Sequence, residues 1–295
     1  MIVVTGATGG LGGATVERLL TRVPADQIGV SVRDTAKARH FADRGVRVRQ
    51  GSYEDPAALR HSFEGAEQVL VVSGGAPGDD IVSLHRNAIE AAVAAGARRI
   101  LYTSQHGAVP GNPYAPSEIH IATEAILAGT GVAWTALRNG AYGTLDQVLG
   151  PWQRTGVIAQ PKDGPVPYVD RDEVAEATAV VLAGDRTFDG PVNLTAPTAV
   201  TFDDFARIAS DLTGSTVKRI VVDDEQWIAD QIAAGVPEQV ARFLRGWYEA
   251  GCAGYFAEAD PLLAELLGRE PRSAADRLAA QIAASGPPAD PKRTA

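Results

Sequence analysis

The sequence predicts an α/β fold: a doubly wound parallel sheet (Rossmann) with a smaller, mostly helical C-terminal lobe. Three observations predict it. β-branched runs alternate with helix-periodic segments up to about Asn139, the succession that builds parallel sheets. A glycine-rich turn, VTGATGGLGG, lies directly between the first such run and the first helical pattern. From Phe202 onward the periodicity is mostly helical.

The elements follow in order. Ile-Val-Val-Thr at 2–5 is a β-branched run ending at glycine, which reads as a buried parallel strand. After Gly12, ATVERLLTRV sets Val16, Leu19, Leu20 and Val23 at helical spacing. IGVSV at 28–32 reads as the second strand, TAKARHFADRG as a helix and VRVRQG as the third strand. DPAALRHSFEG is helical, QVLVVSG a strand, and Ile81 to Gly96 a long helix leading into the strand RRILYTS. A helix from about Glu118 to Ala128 precedes the strand VAWTALR. Residues 144–168, rich in Gly and Pro, read as an irregular excursion from the sheet. RDEVAEATAVVLAG returns to helix and GPVNLTA to strand, and four further helical segments follow. This places a core at 1–143 with 169–195 returning to it, a second lobe at 144–168 and 196–285, and a Pro-rich tail, 286–295, expected to be disordered.

Composition narrows the function. With 295 residues, 45% hydrophobic and 21% charged, the chain resembles an ordinary soluble globular protein that needs no staples to fold. One cysteine, Cys252, excludes an internal disulfide framework and a cysteine-based zinc cluster, and is expected to be inert. The five histidines show no HxxxH or HExxH spacing, so no metal site is expected. Lys plus Arg number 27 against 36 Asp plus Glu, and a net charge of -9 argues against nucleic acid as a partner. No apolar run approaches the roughly 20 residues of a membrane span, and the N-terminus lacks the basic region of a signal peptide. No membrane partner is expected, and the cytoplasm is the expected location.

Gly6, Gly9 and Gly12 are spaced G-x-x-G-x-x-G between strand and helix. The first permits a tight turn, the second lets a pyrophosphate approach the backbone, and the third lets helix and strand pack closely. The diphosphate then meets the unpaired N–H groups of the helix N-terminus. Which dinucleotide binds depends on the end of the second strand, where an acidic residue would hold the ribose of NAD and an arginine the 2′-phosphate of NADP. Arg33 occupies that end, with Lys37 one turn on and Asp34 as the helix cap, so NADP(H) is favoured over NAD(H).

With these residues on the page, the chain resembles the NmrA-like group of atypical short-chain dehydrogenases/reductases. Within it the chain is most similar to the branch of NAD(P)H:quinone oxidoreductase type 2 and triphenylmethane reductase. The resemblance rests on TGATGGLG at 5–12, VRDTAKA at 32–38, YTS at 102–104, EIHIATE at 118–124, LRNGAY at 137–142 and LLGREPRS at 266–273. It implies substrate bound in the cleft between core and lobe, and a cofactor lined by Gly6, Thr8, Gly9, Gly10, Leu11 and Arg33. It also implies that Ser73 and Gly74 lie along the adenosine and Ser104 along the nicotinamide. Relatives often carry Asp just after the third strand. Here Ser52 holds that place, and Asp55 reads as the cap of the next helix.

The catalytic segment departs from the ordinary pattern. Short-chain reductases use Tyr-x-x-x-Lys, often continuing to Glu; anchored on Glu124, His120 takes the Lys place and Pro116 the Tyr place. Tyr114 is two positions out of register. A simple ketone needs a placed acid, whereas a quinone or cationic dye needs orientation more than proton transfer. The expected function is hydride transfer from NADPH to a small planar, conjugated acceptor. His120 either bonds the ribose or relays a proton, or it forms an i,i+4 pair with Glu124. Asn139 and Tyr142 stand at the mouth of the crevice as candidate substrate contacts, Tyr142 being alternatively a packed aromatic whose hydroxyl reaches backbone, and Trp152, Trp227, Phe243, Trp247 and Tyr248 are candidate stacking walls or core. A redox-sensing regulator that binds NADP(H) without turnover, and a tailoring reductase of an aromatic natural-product pathway, are the alternatives. A homodimer is an open possibility.

Overall fold

The computed structural model describes residues 1–76, 78–143 and 145–285; the tail expected to be disordered, 286–295, lies outside the described residues. Seven parallel strands form one sheet: β1 (Ile2–Thr5), β2 (Ile28–Val32), β3 (Arg47–Gln50), β4 (Gln68–Val71), β5 (Arg99–Gln105), β6 (Ala133–Asn139) and, later in the chain, Gly190–Leu194. The helices between them are α1 (Gly10–Leu19), α2 (Arg39–Ala42), α3 (Pro56–Phe63), α4 (Ile81–Ala94) and α5 (Pro116–Ala128). After β6 come α6 (Leu145–Leu149), α7 (Trp152–Thr155), β7 (Val157–Gln160) and α8 (Arg171–Ala183), and Gly190–Leu194 is then β8. The chain ends with α9 (Phe202–Thr213), β9 (Lys218–Val221), α10 (Asp224–Ala233), α11 (Glu238–Cys252), α12 (Leu262–Leu267) and α13 (Ala274–Ser285).

The strand order is β3-β2-β1-β4-β5-β6-β8, so the direction of winding reverses between β1 and β4. In doubly wound sheets the ligand crevice lies at that switch point, beyond the carboxyl ends of the strands. Strands β1 and β2 are buried at every position, as parallel strands covered on both faces must be. On one face Leu19 of α1, Val174 and Val181 of α8 and Leu262, Leu263 and Leu266 of α12 share a cluster with Val4 and Val30. On the other, Phe63 of α3, Ile89 of α4 and Leu127 of α5 pack with Val3, Val69 and Ile100. A third cluster, around Trp152, Phe205, Trp227, Tyr248 and Leu278, fills the helical C-terminal part.

Side-chain caps start the helices where the sequence changes period. Asp55 accepts from the amides of Ala57 and Ala58 ahead of Pro56, and Asp34 accepts from Ala36, as expected. Thr201 and Asp204 form a capping box on α9. Two readings need correction. The excursion at 144–168 contains two short helices and β7, which pairs in parallel with β9 in a second sheet, inside the stretch read as helical. TAKARH opens as a 3₁₀ turn, and only Arg39–Ala42 is α-helical.

Candidate active site

The glycine turn is built as its spacing implies. Gly6 has φ +62°, a conformation that favours glycine, and the Gly9 amide donates to its carbonyl at 2.9 Å. A Cβ on Gly12 would strike the Gly6 carbonyl oxygen, so no other residue fits at that position in the first turn of α1. The N-cap Gly9 offers no side chain to the helix, and no acidic residue stands in its first turn. Thr8, Gly9 and Gly10 are exposed above a buried Leu11. The result is an open row of backbone donors facing the crevice, complementary to a diphosphate.

The floor of the crevice ties β1 to β4. Thr5 Oγ1 lies 2.6 Å from the Tyr53 hydroxyl and accepts from the Val72 amide at 2.8 Å, while Tyr53 donates to the Val72 carbonyl at 2.8 Å. Burial pushes the Tyr53 phenol well above its ordinary range, so it stays a neutral donor. The following residues are also held from below: the Ser73 amide donates to Thr103 Oγ1 at 2.7 Å and the Gly74 amide to His85 Nε2 at 3.3 Å. At the end of β2, Arg33 and Lys37 are exposed, and the Arg33 guanidinium has no partner among the described residues. Ser52 accepts from the Glu54 amide at 3.3 Å in the turn after β3.

At the ends of β5 and β6, register sets Ser104 beside Arg138 and Gln105 beside Asn139. Glu124, on α5, receives Arg138 through two bonds of 2.9 and 2.6 Å and the Ser104 hydroxyl at 2.7 Å. Glu124 therefore does not pair with His120, and the i,i+4 reading is corrected: the carboxylate is taken by two strand residues. His120 Nδ1 lies instead 2.7 Å from the Tyr102 hydroxyl. Burial, then the nearby His85 and Arg138, lower the His120 pKa to about 3, and the ring is neutral. Asn139 is 3% exposed, and neither polar atom of its amide has a partner among the described residues.

Tyr142 is half-buried, with the Arg171 guanidinium 6.0 Å from its ring centre. Arg171 opens α8, and its Nη1 would lie 2.7 Å from a Cβ on Gly10, so the guanidinium hangs over the glycine turn. On the far side, the loop between β5 and α5 presses against the C-terminal part. Tyr114 contacts Phe243 and Phe256 at ring-centre distances of 5.3 and 6.3 Å, and Trp247 stacks on Phe256 at 6.0 Å. His106, next to Asn139 in space, faces Phe256; burial lowers its pKa to about 4. Of the candidate stacking walls, Phe243 is exposed and Trp247 half-buried, whereas Trp152, Trp227 and Tyr248 are core. Cys252 is exposed. Among the described residues no cluster of His, Cys, Asp or Glu could hold a metal ion, and no helix is long and apolar enough to cross a membrane.

Two features test whether a dinucleotide fits this crevice. The glycine turn leaves a cradle that side chains would fill, and Asn139 holds two buried polar atoms in want of a partner. Both fit. A family model described as NAD(P)H-binding matches residues 6–185. The chain belongs to that NAD(P)H-binding family. It is 33% identical over 274 residues to "Quinone oxidoreductase 2" of Escherichia coli (strain K12), covering 91% of this chain and 94% of the relative. It is 26% identical to the "NAD(P)H azoreductase" of Xenophilus azovorans, over 97% of this chain and 99% of the relative. Triphenylmethane reductase of Citrobacter sp., solved with NADP(H), superimposes with a TM-score of 0.86 at 34% identity, covering 95% of this chain and 99% of that one.

In this oxidoreductase the structure places the glycine turn after β1, Ser73 and Gly74 after β4, Ser104 and Asn139 at the ends of β5 and β6, Tyr142 just beyond β6 and His120 on α5. The sequence reading missed Arg171, Arg138, His106 and the pair His85 and Tyr102. Arg171 reaches the glycine turn only through the packing of α8 on α1, which leaves no local signal. Arg138 could have been found: an arginine inside a buried strand calls for an acidic partner.

Proposed function

We propose that this oxidoreductase transfers hydride from NADPH to a planar, conjugated acceptor of the quinone or dye type. The observation that carries this reading is at the head of α5. Pro116 stands where a proton-donating tyrosine is expected, and four residues on His120 is neutral and bonded to Tyr102. The head of α5 orients and donates hydrogen bonds but offers no tyrosine acid at the place where a simple alkoxide would need one. NADPH supplies the hydride when bound. The N-terminus of α1 and Arg171 would hold its diphosphate, Arg33 and Lys37 its 2′-phosphate, and the Asn139 amide its nicotinamide end. His120 and Tyr142 would contact the reacting end. Tyr114, Phe243 and Trp247 offer aromatic rings to the cleft between the core and a substrate-binding lobe made of 144–168 and 196–285. The names of the relatives, a quinone oxidoreductase, an azoreductase and a triphenylmethane reductase, support a flat acceptor.

The test is titration with NADPH and NADH, then a panel of quinones and cationic dyes followed at the nicotinamide absorbance. Tight NADPH binding with acceptor-dependent bleaching is expected. Fast reduction of plain aliphatic ketones with no activity on quinones would overturn the reading.

A further inference from the structure

The hydrogen-bond directions around His120 can be worked out from a backbone amide. An N–H only donates, so the Gly74 amide, 3.3 Å from His85 Nε2, requires a lone pair on that nitrogen. Neutral His85 then carries its proton on Nδ1. That nitrogen lies 2.9 Å from Thr123 Oγ1, whose own proton goes to the Ile119 carbonyl at 2.8 Å, and 3.3 Å from the Tyr102 oxygen. Both oxygens are on the receiving side of His85. The shortest contact of the Tyr102 hydroxyl is with His120 Nδ1, at 2.7 Å, and places the Tyr102 proton there. His120 therefore holds a lone pair on Nδ1 and its single proton on Nε2, which has no partner among the described residues on a half-buried ring.

We propose that Tyr102 and His85 are positioning residues that lock His120 in this one neutral tautomer. His120 then presents a fixed N–H donor to an oxygen of the bound ligand and does not act as a base. The oxygen belongs either to the nicotinamide ribose or to the acceptor. The inference rests on the reading of His120 as a site residue.

Protonating His120 would break the circuit. Tyr102 would have to withdraw its proton from Nδ1, and the nearest other nitrogen, His85 Nδ1, already carries one. The ionisable groups facing the ring from α4, β5 and β6 are His85, Tyr102 and Arg138, with Glu124 on its own helix paired to Arg138. Burial raises the Tyr102 pKa, against smaller lowering from the Ser73 and Thr123 side chains, and keeps the phenol protonated. A neutral imidazole used as a hydrogen-bond donor has a precedent in triosephosphate isomerase.

The decisive measurement is the ¹⁵N resonance pair of the His120 imidazole in the full chain, with and without NADPH. The expected pattern is a protonated Nε2 and bare Nδ1, unchanged from pH 8 to pH 5. Tyr102→Phe frees Nδ1, and the ring then titrates at higher pH than in the parent. A His120 protonated on Nδ1, or titrating near 6.5 alike in both proteins, would overturn the lock. Activity gives the second readout. His120→Gln can place an amide N–H near the Nε2 position and keeps most of kcat, whereas His120→Asn and His120→Ala lose about tenfold, the worth of one such bond. Loss in NADPH Kd assigns the ribose oxygen, loss in acceptor KM or kcat assigns the acceptor, and three variants equal to the parent in both sink the donor role. If no acceptor oxidises NADPH, the functional reading fails, while the tautomer and the NADPH Kd still decide the lock.

Discussion

Asn139 pays a folding cost for no visible return, because each of its two buried polar atoms, without a partner among the described residues, costs about 1–3 kcal/mol. A ligand that pairs with them resolves the conflict. Asn139→Leu, similar in volume and apolar, is expected to leave the melting temperature of the free protein unchanged or higher while weakening NADPH binding; calorimetry and a binding titration read the two separately. A drop in both would make Asn139 a structural residue. Arg33 is the converse case, an exposed cation with nothing to hold. Arg33→Ala should weaken NADPH binding roughly 10- to 100-fold, the range of charged hydrogen bonds, and leave NADH binding within about twofold. Equal losses for both cofactors would remove the 2′-phosphate from its assignment. Both positions were legible in the sequence because each ends a strand in a pattern that predicts the crevice. The bond between His120 and Tyr102 was not legible, because it joins a helix to a strand 18 residues earlier through side chains that the 3.6-residue period counts as core.

At the scale of elements, α5 is pinned across β5 and β6 by the Glu124, Arg138 and Ser104 cluster. Glu124 is buried, and removing its cation strands a carboxylate in the interior. Arg138→Met is therefore expected to cost about 3–5 kcal/mol, whereas the paired change Arg138→Met with Glu124→Gln should cost clearly less, measured as urea midpoints. Equal costs would mean that the pair adds packing only. The seven strands of the main sheet were readable because each is a short run set between helix patterns. β7 and β9 were not. Four residues each, VIAQ and KRIV, they pair in parallel across some sixty residues of chain, and β9 leaves Ile220 and Val221 exposed. No local period marks a pairing made by tertiary packing.

At the scale of the whole molecule, three histidines are held neutral. Burial lowers the pKa of His85 and His106 to about 4 and that of His120 to about 3. In the unfolded chain all three titrate near 6.5. Between these values the unfolded chain binds more protons, so stability is full above about pH 6.5 and is lost as pH falls toward 4. Unfolding at pH 5 should take up more than one proton, and stability should fall by about 1.4 kcal/mol or more per pH unit below 6. A urea midpoint that is flat from pH 7.5 to pH 5 would contradict it. The overall architecture was legible because alternation and the glycine turn agree on it.

The place of α12 matters at synthesis. Its Leu262, Leu263 and Leu266 lie against α8 and complete the apolar layer that begins with the first strands of the chain. A nascent chain that has released its whole nucleotide-binding sheet still lacks this cover, and shows a greasy strip to its surroundings until residue 266 leaves the ribosome. Premature stops before Leu262 should thus yield a polypeptide that chaperones retain and proteases clear.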